Sequence, residues 1–169
     1  MSEEGAGFTV AILTISDAGA KGERDDTSGD AITRIMSFEG FKVVSRDIVP
    51  DEKEQISGKI KEWCDSGDVD LVLTTGGTGL SPRDVTPEAT RMVIEYEVPG
   101  ISEAMRVRTL DKTPMSMLSR AVAGLRSGCL VVNLPGSPAG ACQTLEVVIP
   151  VIPHAIEIIK GRRIHPTQQ

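Results

Sequence analysis

An α/β fold, with an open and mostly parallel sheet covered by helices on both faces, is what this sequence predicts. Three observations carry that expectation. Short apolar runs, FTVAILTI (residues 8–15), DLVLTT (70–75) and CLVVNL (129–134), have the continuous hydrophobicity of strands buried on both sides. Helix-period segments separate the strands, so strand and helix alternate along the chain. Each of the three runs leads directly into residues rich in Gly, Ser, Asp or Pro: SDAG at 16–19, TGGTG at 75–79 and PGSP at 135–138.

The elements follow in order. After the first strand comes a long polar loop, SDAGAKGERDDTSGD. Ile32, Ile35, Met36 and Glu39 then recur at helical spacing, and Gly40 closes that helix as a residue tolerant of φ > 0. Residues 41–49 alternate and read as a second strand, broken by Pro50-Asp51. Asp51 followed by Glu54 fits a helix N-cap with its reciprocal partner. The helix behind it puts Ile56, Ile60, Trp63 and Cys64 on one face and stops at Gly67. A third strand and the glycine stretch follow. Thr86-Pro87 predicts a further helix, threonine at the cap and proline at the first helical position. Pro99-Gly100 opens another, ISEAMRVRTL, and residues 115–122 read as helical again. After the fourth strand and the PGSPAG turn, a last helix is expected over about 139–161, kinked or split by Pro150 and Pro153.

Bulk properties bound the function. A length of 169 residues suits a single domain, 1–169, ending in a polar tail at 162–169. Aromatic residues make up 3% and the net charge is −6, which points away from nucleic acid and from anionic membranes. Cys64, Cys129 and Cys142 are odd in number and widely spaced, so buried free thiols are expected rather than a disulfide framework or structural zinc. The N-terminal MSEEGAG lacks the features of a signal peptide. The apolar stretch 147–159 is interrupted by Pro150, Pro153, His154 and Glu157 and is expected not to span a bilayer, so a cytoplasmic location is expected.

In open α/β sheets ligands bind beyond the carboxyl ends of the strands, which places SDAG, PDE (50–52), TGGTG and PGSP together. The glycines of residues 74–90, TTGGTGLSPRDVTPEAT, are neither G-x-x-x-x-G-K-[ST] nor G-x-G-x-x-G. On physics alone the stretch is either a tight turn or a cradle whose N–H groups meet an anion. Asp84 reads as a loop carboxylate, paired with Arg83 or capping a turn, or as a metal ligand. Asp51 reads as a helix cap that could serve a second role at the mouth of the crevice. Asp25, Asp26 and Asp30 read as solvated charges and a helix start. Lys21 and Arg24 could reach a phosphate, and Ser116, Ser119 and Arg120 either line an anionic pocket or begin a capped helix. His154 and His165 lack a cysteine or serine partner pattern, and no G-x-S-x-G is present, so neither a nucleophilic triad nor zinc is suggested. Nucleotidyl transfer onto a phosphate needs neither. A phosphate monoester with a second pKa near ~6 is already an oxyanion nucleophile at neutral pH.

The set ILTISDAG, TSGD, IVPDE, LTTGGTGLSPRDVTPEAT, PMSMLSRAVAG and NLPGSP, in this order, resembles the molybdenum-cofactor family that includes MogA, MoaB and the G domain of gephyrin. The resemblance implies a three-layer α/β/α sandwich that assembles as a homotrimer. It implies adenylylation of molybdopterin, with ATP and molybdopterin as substrates and Mg²⁺ as cofactor. Carried over, Thr75, Gly76, Gly77, Thr78 and Gly79 form the nucleotide-phosphate loop. Asp51 and Asp84 are the essential carboxylates, acting through Mg²⁺, and Ser16, Asp17, Ser116, Ser119, Pro135, Gly136 and Ser137 line the pterin–nucleotide pocket. The late GRRIHP resembles the basic end of the plant and animal domains. A molybdate-inserting protein is an implied partner; at this length the chain is expected not to hold the second domain that a complete insertion enzyme needs. A non-catalytic pterin-binding or scaffold role stands as the alternative.

Overall fold

The computed structural model describes residues 7–161. Six strands, β1 (Thr9–Ile15), β2 (Lys42–Val49), β3 (Leu71–Thr75), β4 (Tyr96–Glu97), β5 (Ala123–Arg126) and β6 (Cys129–Leu134), form one sheet in the order β2-β1-β3-β6-β5-β4. β2, β1, β3 and β6 are parallel, β5 is antiparallel to β6, and β4 is antiparallel to β5. The chain winds from β1 out to β2 and then back to β3 on the other side of β1. The strand order therefore reverses between β1 and β3, where such sheets open a ligand crevice.

Helices cover both faces. After a single turn, α1 (Asp17–Ala20), come α2 (Thr27–Phe38), α5 (Pro99–Arg108), α6 (Pro138–Val148) and α7 (Ile152–Ile159) on one side. There Ile32, Met36, Met105, Leu145 and Ile156 pack against Val10, Ile12, Leu73 and Val132. α3 (Lys53–Asp65) and α4 (Thr86–Arg91) lie on the other, where Ile56, Ile60, Trp63 and Ala89 meet Ala11, Leu13, Val72 and Val131. The period-two alternation of β1 is thus shared between two cores, which is why its sequence is predominantly apolar. Pro150 and Pro153 split the last helical stretch as expected, through a 3-10 turn at Ile149–Val151. The stretch Pro138–Ile159 is nevertheless long and apolar enough to cross a membrane. Its Ala141, Leu145, Val148, Ile152 and Ile156 are seated in the core instead. The tail 162–169, including His165, lies outside the described residues.

Several local expectations are corrected. Residues 115–122 are not a helix: a 3-10 turn, Pro114–Leu118, gives way to extended chain. β5 then returns into β6 through Ser127-Gly128, whose φ values of 48° and 76° are those of a type I′ hairpin turn. Glu52, not Asp51, caps α3, and it makes no side-chain cap bond. Thr86 is the first residue of α4 rather than its cap, because its hydroxyl is engaged with the Gly76 carbonyl (2.8 Å). Cys64 and Cys129 are buried free thiols, whereas Cys142 is half-buried.

One buried polar hub fixes the junction of β3, β6 and α4. Fully buried Asn133 donates Nδ2 to the hydroxyls of Thr74 (2.9 Å) and Thr90 (3.0 Å), and its Oδ1 accepts from the Val122 N–H (3.1 Å). Asn133→Leu strands the Val122 N–H in a dry core. We expect a loss of about 2–4 kcal/mol, read as a melting temperature lower by roughly 5–15 °C. An unchanged melting temperature would show that the hub does not stabilise the fold.

Candidate active site

The carboxyl ends of β1, β2, β3 and β6 converge on two cavities of about 490 Å³ each. The first is polar. It is lined by Ser16, Gly19 and Arg24 from the chain after β1, by Asp51 after β2, by Thr75, Gly76 and Gly77 at the end of β3, and by Ser137 after β6. The second is largely apolar, with Leu80, Met105, Met115 and Leu118 around the hydroxyls of Ser116, Ser119 and Thr144. Gly77, Asp84, Gly136 and Ser137 line both and so form the wall between them.

Each wall residue is held for a local reason. Gly76 (φ +104°) and Gly77 (φ +67°) turn the chain sharply out of β3. The Gly76 N–H donates to the Leu134 carbonyl, and the Thr86 N–H to the Gly77 carbonyl (3.1 Å). The buried Thr75 hydroxyl donates to the Pro135 carbonyl (2.7 Å), tying the ends of β3 and β6 together. Ser137 caps α6, accepting from the Gly140 N–H (3.1 Å), so the positive end of that helix opens at the wall. Asp84 lies over Gly79 and accepts from the Ser81 N–H (3.0 Å). Its turn-capping reading therefore holds, while its pairing with Arg83 does not.

Arg83 bonds instead to both oxygens of Asp17 (3.1 and 2.9 Å) and to Glu52 (2.9 Å). That guanidinium holds the Asp17 carboxyl below its ordinary range. Asp17 lines neither cavity. It orients Asp51: the Asp17 N–H donates to Asp51 Oδ2 (3.0 Å), and the Asp51 N–H donates to Asp17 Oδ1 (3.0 Å). This exchange explains why Asp51 does not cap α3. Burial pushes the Asp51 carboxyl upward, and the charges of Asp17 and Asp84 add to the shift.

The expected site residues are thus distributed over two chambers. Ser16, Thr75, Gly76 and Asp51 face the polar one, Thr78, Gly79, Ser116, Ser119 and Pro135 face the apolar one, and Gly77, Asp84, Gly136 and Ser137 face both. Arg24 lines the polar chamber; Lys21 lines neither. Asp26 is no free surface charge, because it caps α2 at the Gly29 N–H (3.0 Å) and pairs with Arg46 (2.9 Å). Residues not singled out from the sequence also contribute. Met105, Arg106 and Thr109 of α5 and its C-terminal end, and Gln143 of α6, line the apolar chamber. Only their one-turn spacing marks them, which any packed helix shows.

Among the described residues the polar chamber is lined by Asp25, Asp51 and Asp84, by Asp26, which is already paired with Arg46, and by a single guanidinium, Arg24. An anion entering it meets a negative field unless a cation accompanies it. No group of three or more His, Cys, Asp or Glu side chains among the described residues could cage a metal. Asp51 and Asp84, two hard carboxylates on one cavity, fit Mg²⁺, which keeps waters and substrate phosphates for its remaining positions.

Residues 11–154 match the family described as "Probable molybdopterin binding domain". The chain belongs to that family. Membership agrees with the motifs and with the architecture. The chain is 40% identical over 154 residues, 90% of its own length and 88% of the relative's, to a protein of Helicobacter pylori J99 named molybdopterin adenylyltransferase. It is 51% identical to the solved structure described as the molybdopterin biosynthesis enzyme MoaB of Thermus thermophilus, with a TM-score of 0.86 over 91% of this chain and 97% of that one. It is 34% identical to the tungsten cofactor synthesizing protein MoaB of Pyrococcus furiosus, with a TM-score of 0.81 over 92% and 98%. The three-layer α/β/α architecture is that of these MogA- and MoaB-like family members.

Proposed function

We propose that this protein transfers AMP from Mg²⁺-ATP to molybdopterin, giving adenylyl-molybdopterin and pyrophosphate. The observation that carries the reading is the shared wall. Two chambers of equal size, one polar and one apolar with hydroxyls, meet at Gly77, Asp84, Gly136 and Ser137. The polar chamber suits the triphosphate and the apolar one the flat pterin. Their junction is where the pterin's terminal phosphate and the α-phosphate of ATP would lie. The names of the adenylyltransferase relatives support the same reaction.

The chemistry asks little covalent work of the chain. A phosphate oxygen of the pterin forms a bond to the α-phosphorus of ATP, the bond to the bridging oxygen breaks, and pyrophosphate leaves with that electron pair. No proton need be removed from a phosphate dianion. Catalysis is alignment plus stabilisation of charge. The Gly76-Gly77 turn lets the backbone approach the phosphates closely, and the N-terminus of α6 adds its positive end. Asp51 and Asp84 would hold Mg²⁺, which supplies Lewis-acid screening of the phosphate charge. Asp17 and Arg83 keep Asp51 facing the cavity.

A cytoplasmic homotrimer that hands its product to a molybdate-inserting protein completes the proposal. The test is incubation of the protein with ATP, Mg²⁺ and molybdopterin. Pyrophosphate and adenylylated pterin should accumulate together. If neither forms while calorimetry shows the pterin bound, the non-catalytic binding role replaces this one.

A further inference from the structure

Arg120 lines neither chamber, yet it contacts Thr78 and Gly79 of the apolar chamber's lining and Asp84 of the wall between the two. It directly follows Ser119 and the 3-10 turn Pro114–Leu118 that carries Ser116 on the apolar side. Its backbone N–H donates to the Thr78 carbonyl (2.9 Å). Its Nε donates to the Gly79 carbonyl (2.8 Å) and one Nη to the Asp84 carbonyl (2.8 Å), while the other Nη pairs with the Glu88 carboxylate. One side chain thus grips both ends of the loop 79–84 and the first turn of α4. The second oxygen of Glu88, Oε2, is buried with no hydrogen-bond partner among the described residues, so Glu88 depends on this guanidinium.

Arg106 braces the same segment from the other side. Its guanidinium donates to the carbonyls of Ser119 (3.3 Å) and Ala121 (3.1 Å), the residues flanking Arg120. The result is a continuous chain of contacts from α5 through Arg106 and Arg120 to Gly79 and Asp84. All three guanidinium nitrogens of Arg120 are engaged with protein. A planar fork of this kind fits three acceptors at fixed angles, which a single ammonium does not.

We infer that Arg120 is a positioning residue for adenylyl transfer: it fixes Asp84 and the loop 79–84 against the Ser116–Ser119 wall, so that the carboxylate at the junction takes its place from the chamber on the apolar side. The inference rests on the reaction proposed above for its kinetic consequence, but not for its structural one. The variant that tests it is Arg120→Lys, which keeps the charge and loses the fork. Molybdopterin binding without nucleotide, measured by calorimetry, should stay near the wild-type value. The kcat should fall about 10²-fold, and the Mg²⁺ concentration giving half-maximal rate should rise about tenfold. A general loss of fold would instead lower pterin binding and kcat together, and that outcome, like an unchanged kcat and Mg²⁺ requirement, overturns the inference. Amide exchange separates this idea from the proposed activity. In Arg120→Lys the hydrogen-bonded amides of Ser81, Arg83 and Asp84 should exchange about tenfold faster while those of β1 and β6 do not change. Unchanged exchange at these amides overturns the inference even in a protein with no turnover. Glu88→Gln, which retains an acceptor for Arg120, should leave kcat within about threefold of wild type; a larger loss would move the role from Arg120 to Glu88.

Discussion

Replacing Asp84 by asparagine is expected to remove most adenylyl transfer while leaving the protein folded. The side chain has two separable jobs. Its Oδ2 accepts the Ser81 N–H at 3.0 Å and closes the turn after the glycine stretch. Asparagine keeps a carbonyl oxygen for that bond, so the melting temperature should move by only a few degrees, as for substitutions that preserve local bonding. The other job is charge. Asp84 and Asp51 face one chamber, and in the proposed reaction they would hold the divalent cation that accompanies the triphosphate. Halving the carboxylate pair weakens the hold on the cation and misplaces the screening charge at the junction. Losing a fixed electrostatic partner of a transition state costs roughly 10²–10³-fold in kcat. The readout is pyrophosphate release at saturating ATP and pterin across a range of Mg²⁺. A higher Mg²⁺ requirement combined with the lower kcat is the expected signature. Wild-type turnover in Asp84→Asn would take Asp84 out of the mechanism altogether.

Much of this site can be read from the chain, and what cannot has identifiable physical causes. The central parallel strands were legible because burial on both faces makes β1, β3 and β6 predominantly apolar. The ligand side followed from the strand ends alone. β5 was hidden because Ala123–Arg126 is only four residues long and follows a segment whose Met and Leu residues mimic helical spacing. The Ser127-Gly128 pair that turns it into β6 was the available signal. β4 is two residues, Tyr96 and Glu97, too short for any period. Local capping rules failed at Asp51 and at Thr86 for one reason: long-range partners, the Asp17 N–H and the Gly76 carbonyl, outcompete the helix start. Both failures sit at the candidate site, where local preference is most often overridden. The division into two chambers was not legible at all. It depends on α5 and the 3-10 turn folding over the sheet ends, and nothing in the spacing of Met105, Arg106 and Ser116 announces which cavity they face.

Gly76→Ala should be the most damaging single-methyl change in the chain. A positive φ alone is a modest cost. At Gly67, φ +80°, an added Cβ meets nothing within 4 Å, and alanine there should cost about 1 kcal/mol. Gly76 has φ +104° and no space either: its Cβ would land on the carbonyl oxygen of Ile15, the last residue of β1. On its other side, Gly136 approaches so closely that a Cβ built there would lie 3.2 Å from the Gly76 Cα. The residue is therefore confined between the ends of β1 and β6, and a methyl group can be admitted only by moving backbone. Strain of this kind belongs to the upper tail of single substitutions, about 3–5 kcal/mol. At roughly 2–4 °C per kcal/mol for a chain of this size, the melting temperature should fall by about 6–20 °C, against a few degrees for Gly67→Ala. The functional loss should exceed the loss of stability. Assayed well below its lowered melting temperature, Gly76→Ala should bind ATP at least about tenfold more weakly, because the loop whose backbone meets the phosphates can no longer leave β3 at the same angle. Equal melting temperatures for the two alanine variants would mean that the close approach of β1 to the glycine turn does not hold in solution. Equal ATP affinities in folded protein would remove the turn from the phosphate site.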